Sequence, residues 1–448
     1  MNKCYMSVQW HITESCLGRC KHCYMEEKEK ELSKEEILKI LSNLEEFEKN
    51  QNFEISNFAI TGGDPLLSKN LEFILSELKK RDKNISIMGT PDTISEKSIK
   101  ILKKYDIENI QLSLDGLEET HDYMRGKGSF KKTLIRAKFL QESGIKVNIM
   151  FTVTNNNHME LIPLMSVIVE NQIDSFSFDF LCPIGEGQNL SVIAPEESYK
   201  LLNDYLNEKE RFEREGTKTF FHEKSSLLRL VREMRGEYST FSTKSTQVVS
   251  GCYVGFTSFA ISTGGYFMAC RRLGKKLGNL LDETLEDIFF ESELLKKYRR
   301  PEYFKNCGKC KMFKFCRGCP AVAIGESRDE FSKVSYCFSN SEDVEYPKTS
   351  LEIDKTKERE LISKHMSNIF NNEFKSLIKR KEIQDLIFLF LFEEPQKLEF
   401  FKNPKFFLEK LNVNLTDREI ELCIYYLELH REGIVPSIIQ YIFGEKIW

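Results

Sequence analysis

The chain has 448 residues, 41% hydrophobic and 30% charged, and 65 basic against 69 acidic side chains leave a net charge of −4. That length allows two or three domains with separate cores, and the near balance of charge excludes a polybasic nucleic-acid or membrane surface. The start MNKCYMSVQWHIT lacks signal-peptide character and the run Ile387 to Phe392 is too short to cross a bilayer, so a soluble cytoplasmic protein is expected.

Along the chain, Tyr5 to Thr13 reads as a strand that delivers the backbone into a first cysteine group. Ser33-x-x-Glu36 is a capping box, and Ile37, Ile40, Leu41 and Leu44 give the helix behind it one apolar face. Phe53 to Thr61 is the next strand, closed by Gly62-Gly63-Asp64-Pro65, and Ser68 caps a helix with the face Leu71, Ile74, Leu75 and Leu78. Strands near 85–89, 108–114, 146–153 and 174–181 follow, separated by helices near 95–105, 129–143 and 158–171. Six strand–helix units imply an α/β fold with a parallel sheet under helices. Six is fewer than a closed eightfold barrel needs, so an open, partial (β/α)6 barrel is expected over 1–190, with its ligand site at the carboxyl ends of the strands. Residues 191–249 read as a charged helical bridge, and 250–344 show little periodicity but many cysteines, so metal is expected to organise them. Residues 345–448 are again helical, with a capping box at Thr416-x-x-Glu419 and an apolar face of Ile420, Cys423, Ile424 and Leu427.

Thirteen cysteines stand out, and without an export signal clustered thiols read as metal ligands rather than disulfides. Cys4, Cys182 and Cys423 stand alone and read as packing. Cys16-x3-Cys20-x2-Cys23 falls in the loop after the first strand, where three thiolates can hold three irons of a [4Fe–4S] cluster and leave one iron open to a small molecule. A zinc site with His11 or His22 as fourth ligand is the alternative.

In these motifs the chain resembles the radical SAM superfamily, enzymes that cleave S-adenosylmethionine (SAM) on such a cluster. The resemblance implies a partial barrel over residues 5 to 185 and gives roles to particular residues. Gly62, Gly63, Asp64 and Pro65 stand where the family has Gly-Gly-Glu-Pro and would bind the SAM amino group, Asp64 with a shorter reach than Glu. His22 would meet adenine. In the segment from Ser113-Leu114-Asp115-Gly116 to Arg125-Gly126, Ser113 would face the ribose or carboxylate side and Arg125 the carboxylate. The implied chemistry is one-electron reduction of the sulfonium, release of methionine and a 5′-deoxyadenosyl radical, and hydrogen abstraction from a substrate in a closed cavity.

The second group, Cys252-x12-Gly265-x4-Cys270 followed by Cys307-x2-Cys310-x5-Cys316-x2-Cys319 and Cys337, resembles the SPASM domain. It implies two auxiliary [4Fe–4S] clusters, three in all; a zinc ribbon is the alternative. Two residues rather than three separate Cys316 from Cys319. By family connectivity Cys307, Cys310, Cys316 and Cys337 would hold the distal cluster. Cys252, Cys270 and Cys319 would hold the proximal one, with an open iron for a substrate thiolate or other substrate group, a water or a non-Cys protein ligand.

SPASM enzymes mostly modify peptides, so the expected function is maturation of a ribosomally made, Cys-containing precursor peptide by thioether crosslinking. Epimerisation or carbon–carbon crosslinking, and a sulfatase maturase, are alternatives. Arg271 and Arg272 follow Cys270 where the sulfatase maturases carry an Asp, and an eighth auxiliary cysteine is missing. A non-catalytic metal-binding interaction protein is the reading of another class. An electron donor such as flavodoxin or ferredoxin is an expected partner. Fifteen residues precede Cys16, so leader docking is expected to fall to a separate leader-binding protein or to residues 345–448.

Overall fold

The computed structural model describes residues 4–25, 29–51, 53–237, 251–313 and 315–339, then 351, 354–366 and parts of 377–424. Six parallel strands run in chain order across one sheet: β1 Cys4–His11, β2 Phe53–Thr61, β3 Asn84–Met88, β4 Asn109–Ser113, β5 Lys146–Val153 and β6 Ser175–Phe180. The helices α1 Lys34–Gln51, α2 Leu71–Lys80, α3 Glu96–Lys104, α4 Glu118–Arg125, α5 Ser129–Glu142 and α6 Leu161–Glu170 connect them. This is the expected partial barrel.

Strand alternation divides the sheet into two chemically different faces. Val147, Ile149, Phe151 and Val153 of β5 are buried and lie on one face with Ile110 and Leu112 of β4. The intervening positions are polar and bond to one another across strands. Asn148 donates to Gln111 at 3.4 Å and to Ser177 at 3.2 Å, and Ser175 donates to Asn148 at 3.0 Å. One face therefore meets helices, and the other is a hydrogen-bonded polar surface suited to a polar ligand. Helix α1 buries Ile37, Ile40, Leu41, Leu44 and Phe47. At about 1.5–3 kcal/mol per buried side chain, that stripe outweighs the helix's charged exterior.

Beyond β6 come α7 Pro195–Arg214, the two-residue strand β7 Phe220–Phe221 and α8 Leu227–Met234. The sequence reads this bridge as helical throughout, yet Phe220 and Phe221 pair with Ser175 and Phe176 and lengthen the sheet. The cysteine-rich stretch differs more. The strands β8 Ser258–Ile261, β9 Tyr266–Met268 and β10 Lys276–Asn279 join the same sheet, β8 lying parallel to β1 from Ser7 to Trp10. Helices α9 Leu285–Glu291, α10 Glu293–Tyr298 and α11 Pro320–Ser327 complete this part. Phe289 and Phe290 of α9 pack on Phe47 and Phe53 of the barrel, with ring centroids 5.6 to 6.4 Å apart. Apolar packing and strand pairing, as well as cysteines, thus order residues 258–298.

The C-terminal region contributes α12 Lys355–Met366, α13 Glu394–Lys402 and α14 Pro404–Lys410. The capping box at Thr416 forms, with Glu419 N–H donating to Thr416 Oγ1 at 3.3 Å and Thr416 N–H to Glu419 at 2.7 Å. Leu427 and most of the Ile387 to Phe392 run lie outside the described residues. Among the described residues no helix is long and apolar enough to cross a membrane.

Candidate functional site

The first cysteine loop leaves β1 at His11 and is tied to the turn after β2. The Gly63 N–H donates to Thr13 O at 2.8 Å and the Asp64 N–H to Ser15 O at 2.7 Å. A Cβ on Gly62 would stand 2.2 Å from Thr13 O, and one on Gly63 would stand 2.3 Å from Ser15 O. Here the glycines admit the cysteine loop. The loop's far end is held by Lys21 N–H on Met124 O at 3.0 Å and Glu186 N–H on Cys23 O at 2.8 Å. The Cys16 and Cys20 sulfurs flank Gly18, each 3.8 Å from where a Cβ would be.

Burial pushes the Cys16 thiol up despite a bond from the Gly18 amide, and Cys20, Asp64 and Cys23 add to the rise; burial also raises Cys23. Thiols gathered at a cost to their own ionisation are a donor set that a metal would deprotonate and hold. Among the described residues no three or more His, Cys, Asp or Glu side chains close tightly enough for a single metal ion. Three cysteines are one short of the four ligands a structural zinc ion takes and match a cluster that leaves one iron open.

Beside the triad sits a buried charged cluster. Arg125, at the end of α4, pairs through Nε with Asp115, reaches His22 Nε2 at 3.1 Å through Nη2 and lies 3.6 Å from Cys20 Sγ through Nη1. Asp115 is fully buried and also accepts from Thr152 N–H at 2.8 Å, while its own N–H donates to His121 Nδ1 at 3.0 Å. Burial alone would raise Asp115, but Arg125, His22, His121 and the Thr152 amide hold it at about 2. Asp115 is therefore the anchor of the cluster. Burial lowers His22 to about 4, with Asp115 opposing and Arg125 adding, so its ring is neutral at pH 7. His22 Nδ1 has no hydrogen-bond partner among the described residues.

The Asp64 carboxylate is held in place by two hydroxyls and an amide. It accepts from Thr90 Oγ1 at 2.6 Å, Thr93 Oγ1 at 2.7 Å and Leu66 N–H at 3.1 Å. Pro65 begins the short turn that this carboxylate caps. Ser113 ends β4, half-buried, on the polar face with Gln111.

The auxiliary cysteines separate into two neighbourhoods. Cys307 feels Cys316, Cys337 and Cys310, and burial pushes it up to about 12. Burial also takes Cys316 to about 11, although Ser226 donates to its sulfur at 3.3 Å. Cys252, raised by burial to about 12, feels Cys319 and Cys270. Between the two groups Arg317 and Gly318 both take positive φ, 61° and 67°. Two left-handed residues reverse the chain within the short step, so that Cys316 joins one group and Cys319 the other. The strain at Arg317 is offset by its buried guanidinium, which donates to the carbonyls of Cys252, Val254 and Tyr298.

Three features were not read from sequence. Cys182, just past β6, is buried with its thiol beside that of Cys319. The neighbouring thiol and Arg272 lower Cys319 against its burial, while Cys319 and burial raise Cys182. Arg272 pairs with Asp179 of β6 at 3.0 Å. Arg271 lies over the Tyr24 ring at 5.6 Å and 3.3 Å from Met88 Sδ of β3. The one available signal was position: Cys182 and Asp179 lie at the carboxyl end of a barrel strand, where such folds place their chemistry.

Residues 10–168 match the radical SAM superfamily and residues 252–320 match the SPASM iron–sulfur cluster-binding domain. The AdoMet-dependent heme synthase of Nitratidesulfovibrio vulgaris is 25% identical over 351 residues, 74% of this chain and 91% of its own. The antilisterial bacteriocin subtilosin biosynthesis protein AlbA of Bacillus subtilis is 26% identical over 337 residues, 72% of this chain and 69% of its own. Streptococcus suis SuiB bound to its precursor peptide SuiA shares the fold at a TM-score of 0.61 and 20% identity, over 75% of this chain and 76% of SuiB.

Proposed function

We infer that this chain, a radical SAM enzyme carrying a SPASM domain, matures a ribosomally made, Cys-containing peptide by oxidative thioether crosslinking. The observation that carries this reading is the meeting of the two cysteine regions across the barrel mouth. Cys270 is followed at once by Arg271, which reaches Tyr24 beside Cys23, and by Arg272, which pairs with Asp179 at the end of β6. The second region is thus fixed over the face from which the first works. Forming a carbon–sulfur bond between two residues removes one hydrogen atom from carbon, one proton from the thiol and one electron. When bound, the cluster on Cys16, Cys20 and Cys23 supplies the electron that cleaves SAM, and the auxiliary clusters supply a sink for the electron released on bond closure.

The chain's own residues bind and orient. Asp115 and Arg125 fix the neutral His22 ring within the loop, where it is suited to stack on adenine or to donate to it through Nδ1. The amides of Gly63 and Asp64 hold the loop, and the polar face of Gln111, Asn148 and Ser177 offers hydrogen bonds to the remainder of SAM or to the substrate backbone. The likeness to AlbA supports a peptide substrate, and SuiB shows this fold beside a precursor peptide.

A heme-forming reaction is the second reading, favoured by the alignment with AdoMet-dependent heme synthase over 91% of that protein's length. Anaerobic incubation of the reconstituted protein with SAM and reductant separates the two. A Cys-containing precursor peptide encoded beside this chain should lose two hydrogens per crosslink by mass spectrometry. An unchanged peptide, with conversion of an iron porphyrin precursor seen in its visible absorption, would transfer the assignment to the second reading.

A further inference from the structure

Seven auxiliary cysteines leave two four-iron clusters one ligand short, since eight corners need eight donors. The structure brings an eighth thiol to the deficient group. Cys182 belongs to the barrel, 70 residues before Cys252, yet its buried thiol lies beside that of Cys319. Its backbone is fixed on both sides. Leu181 N–H donates to Val153 O at 2.9 Å and Ile184 N–H to Cys182 O at 2.8 Å. Phe180 stacks on Tyr336 with centroids 4.1 Å apart. Pro183 abuts α11, which begins immediately after Cys319, so closely that a Cβ on Gly325 would stand 2.8 Å from Pro183 O. The Arg272–Asp179 pair ties the residue two places after Cys270 to the strand that ends just before Cys182.

We propose that Cys182 is the fourth thiolate ligand of the proximal auxiliary cluster, completing the set Cys252, Cys270 and Cys319. This rests on the reading of those three cysteines as cluster ligands, and it replaces the open iron expected from sequence. On cluster assembly each thiol loses its proton and gives one sulfur–iron bond. Arg272 lies close enough to Cys270, Cys319 and Cys182 to offset part of the negative charge so gathered. A cluster closed by protein sulfur has no corner for a substrate thiol, so the peptide cysteine is held by protein groups and the cluster exchanges only electrons. The barrel itself then contributes a ligand to the second region, and the two parts cannot separate without opening the cluster.

The test uses the full chain with Cys16, Cys20 and Cys23 replaced by Ala, so that only auxiliary clusters assemble on anaerobic reconstitution. In this parent the electron paramagnetic resonance spectrum of the reduced protein should be indifferent to added cyanide. Cys182→Ala should either drop from about eight to about four irons per chain or keep both clusters and gain a cyanide-dependent shift. Cys182→Ser, close in size and still able to hydrogen-bond Cys319, should fold as the parent does but shift one cluster's spectrum and midpoint potential through its oxygen ligand. Cys423→Ser, a second buried thiol lost elsewhere, should match the parent. A cyanide response already present in the parent, or a Cys182→Ser spectrum identical to the parent's, overturns the assignment. No substrate enters the measurement, so its outcome is independent of whether the substrate is a peptide or a heme precursor.

Discussion

Arg125 and Asp115 form a buried ion pair at the carboxyl end of β4, and the same guanidinium holds His22 at 3.1 Å. Removing the cation alone strands a carboxylate that has no water to turn to. Arg125→Gln should therefore destabilise the chain by about 3–5 kcal/mol, while Asp115→Asn combined with Arg125→Gln should recover part of that loss. Anaerobic urea unfolding of the three proteins measures both. A single variant as stable as the wild type would show that the pair contributes nothing.

The same pair fixes an acid limb. Asp115 lies at about 2 in the fold against an ordinary 3.8, so its stabilisation is complete above pH 4 and is lost as pH falls from 4 towards 2. By linkage the wild type should lose up to about 2 kcal/mol more than the double variant across that interval. Parallel stability curves for the two proteins would rule the assignment out.

Gly63→Ala tests what the Gly-Gly turn is for. The new methyl would meet Ser15 O at 2.3 Å, a backbone atom two strand-ends away that cannot swing aside as a side chain could. The strain should displace the loop carrying Cys16, Cys20 and Cys23 and lower iron by about four per chain, leaving the auxiliary clusters in place. Full iron content with normal 5′-deoxyadenosine release would mean that the loop has another anchor.

Much of this arrangement is legible in the chain, for identifiable reasons. Phe53–Thr61 forms the strand read from sequence because its apolar run ends at a glycine pair that no strand continues through. The strands β8, β9 and β10 are hidden because each has four residues or fewer and is stabilised by a neighbour far away, Ser258 pairing with Ser7. A run that short carries no period of its own. Asp64 was identified by its motif, but the hydroxyls that claim its carboxylate come from Thr90 and Thr93 after the next strand. Cys182 reads as packing from sequence because its neighbour Cys319 is 137 positions away, and spacing rules see only nearby residues.

A buried carboxylate helps to fasten α12 to the second cysteine region. Glu358 of α12 is buried against Arg299, which donates at 2.9 Å, and Arg300, which donates at 2.6 Å. Burial works against the charge of Glu358, but Arg300 and Arg299 hold its carboxyl below the usual range, and burial lowers Arg299 to about 10. Glu358→Ala leaves two buried guanidinium groups without that carboxylate and should cost about 3–5 kcal/mol. Amide exchange across Lys355–Met366 should rise with it. Unchanged protection there would mean that other contacts hold the helix.

Arg271 offers the sharpest test of where substrate sits. Its guanidinium is aimed at Tyr24 and Met88, and its Nε is buried with no hydrogen-bond partner among the described residues. A buried guanidinium nitrogen without an acceptor costs stability, and a substrate carbonyl or carboxylate would relieve that cost on binding. Tyr24 adjoins Cys23, so a group held there would lie next to the SAM-side loop. Arg271→Gln keeps a donor but gives up the charge and the planar fork. It should raise the substrate KM tenfold or more, equivalent to at least about 1.4 kcal/mol, while leaving SAM affinity and uncoupled 5′-deoxyadenosine release within twofold of wild type. Loss of SAM affinity with an unchanged substrate KM would place Arg271 on the cofactor and leave the peptide anchored elsewhere.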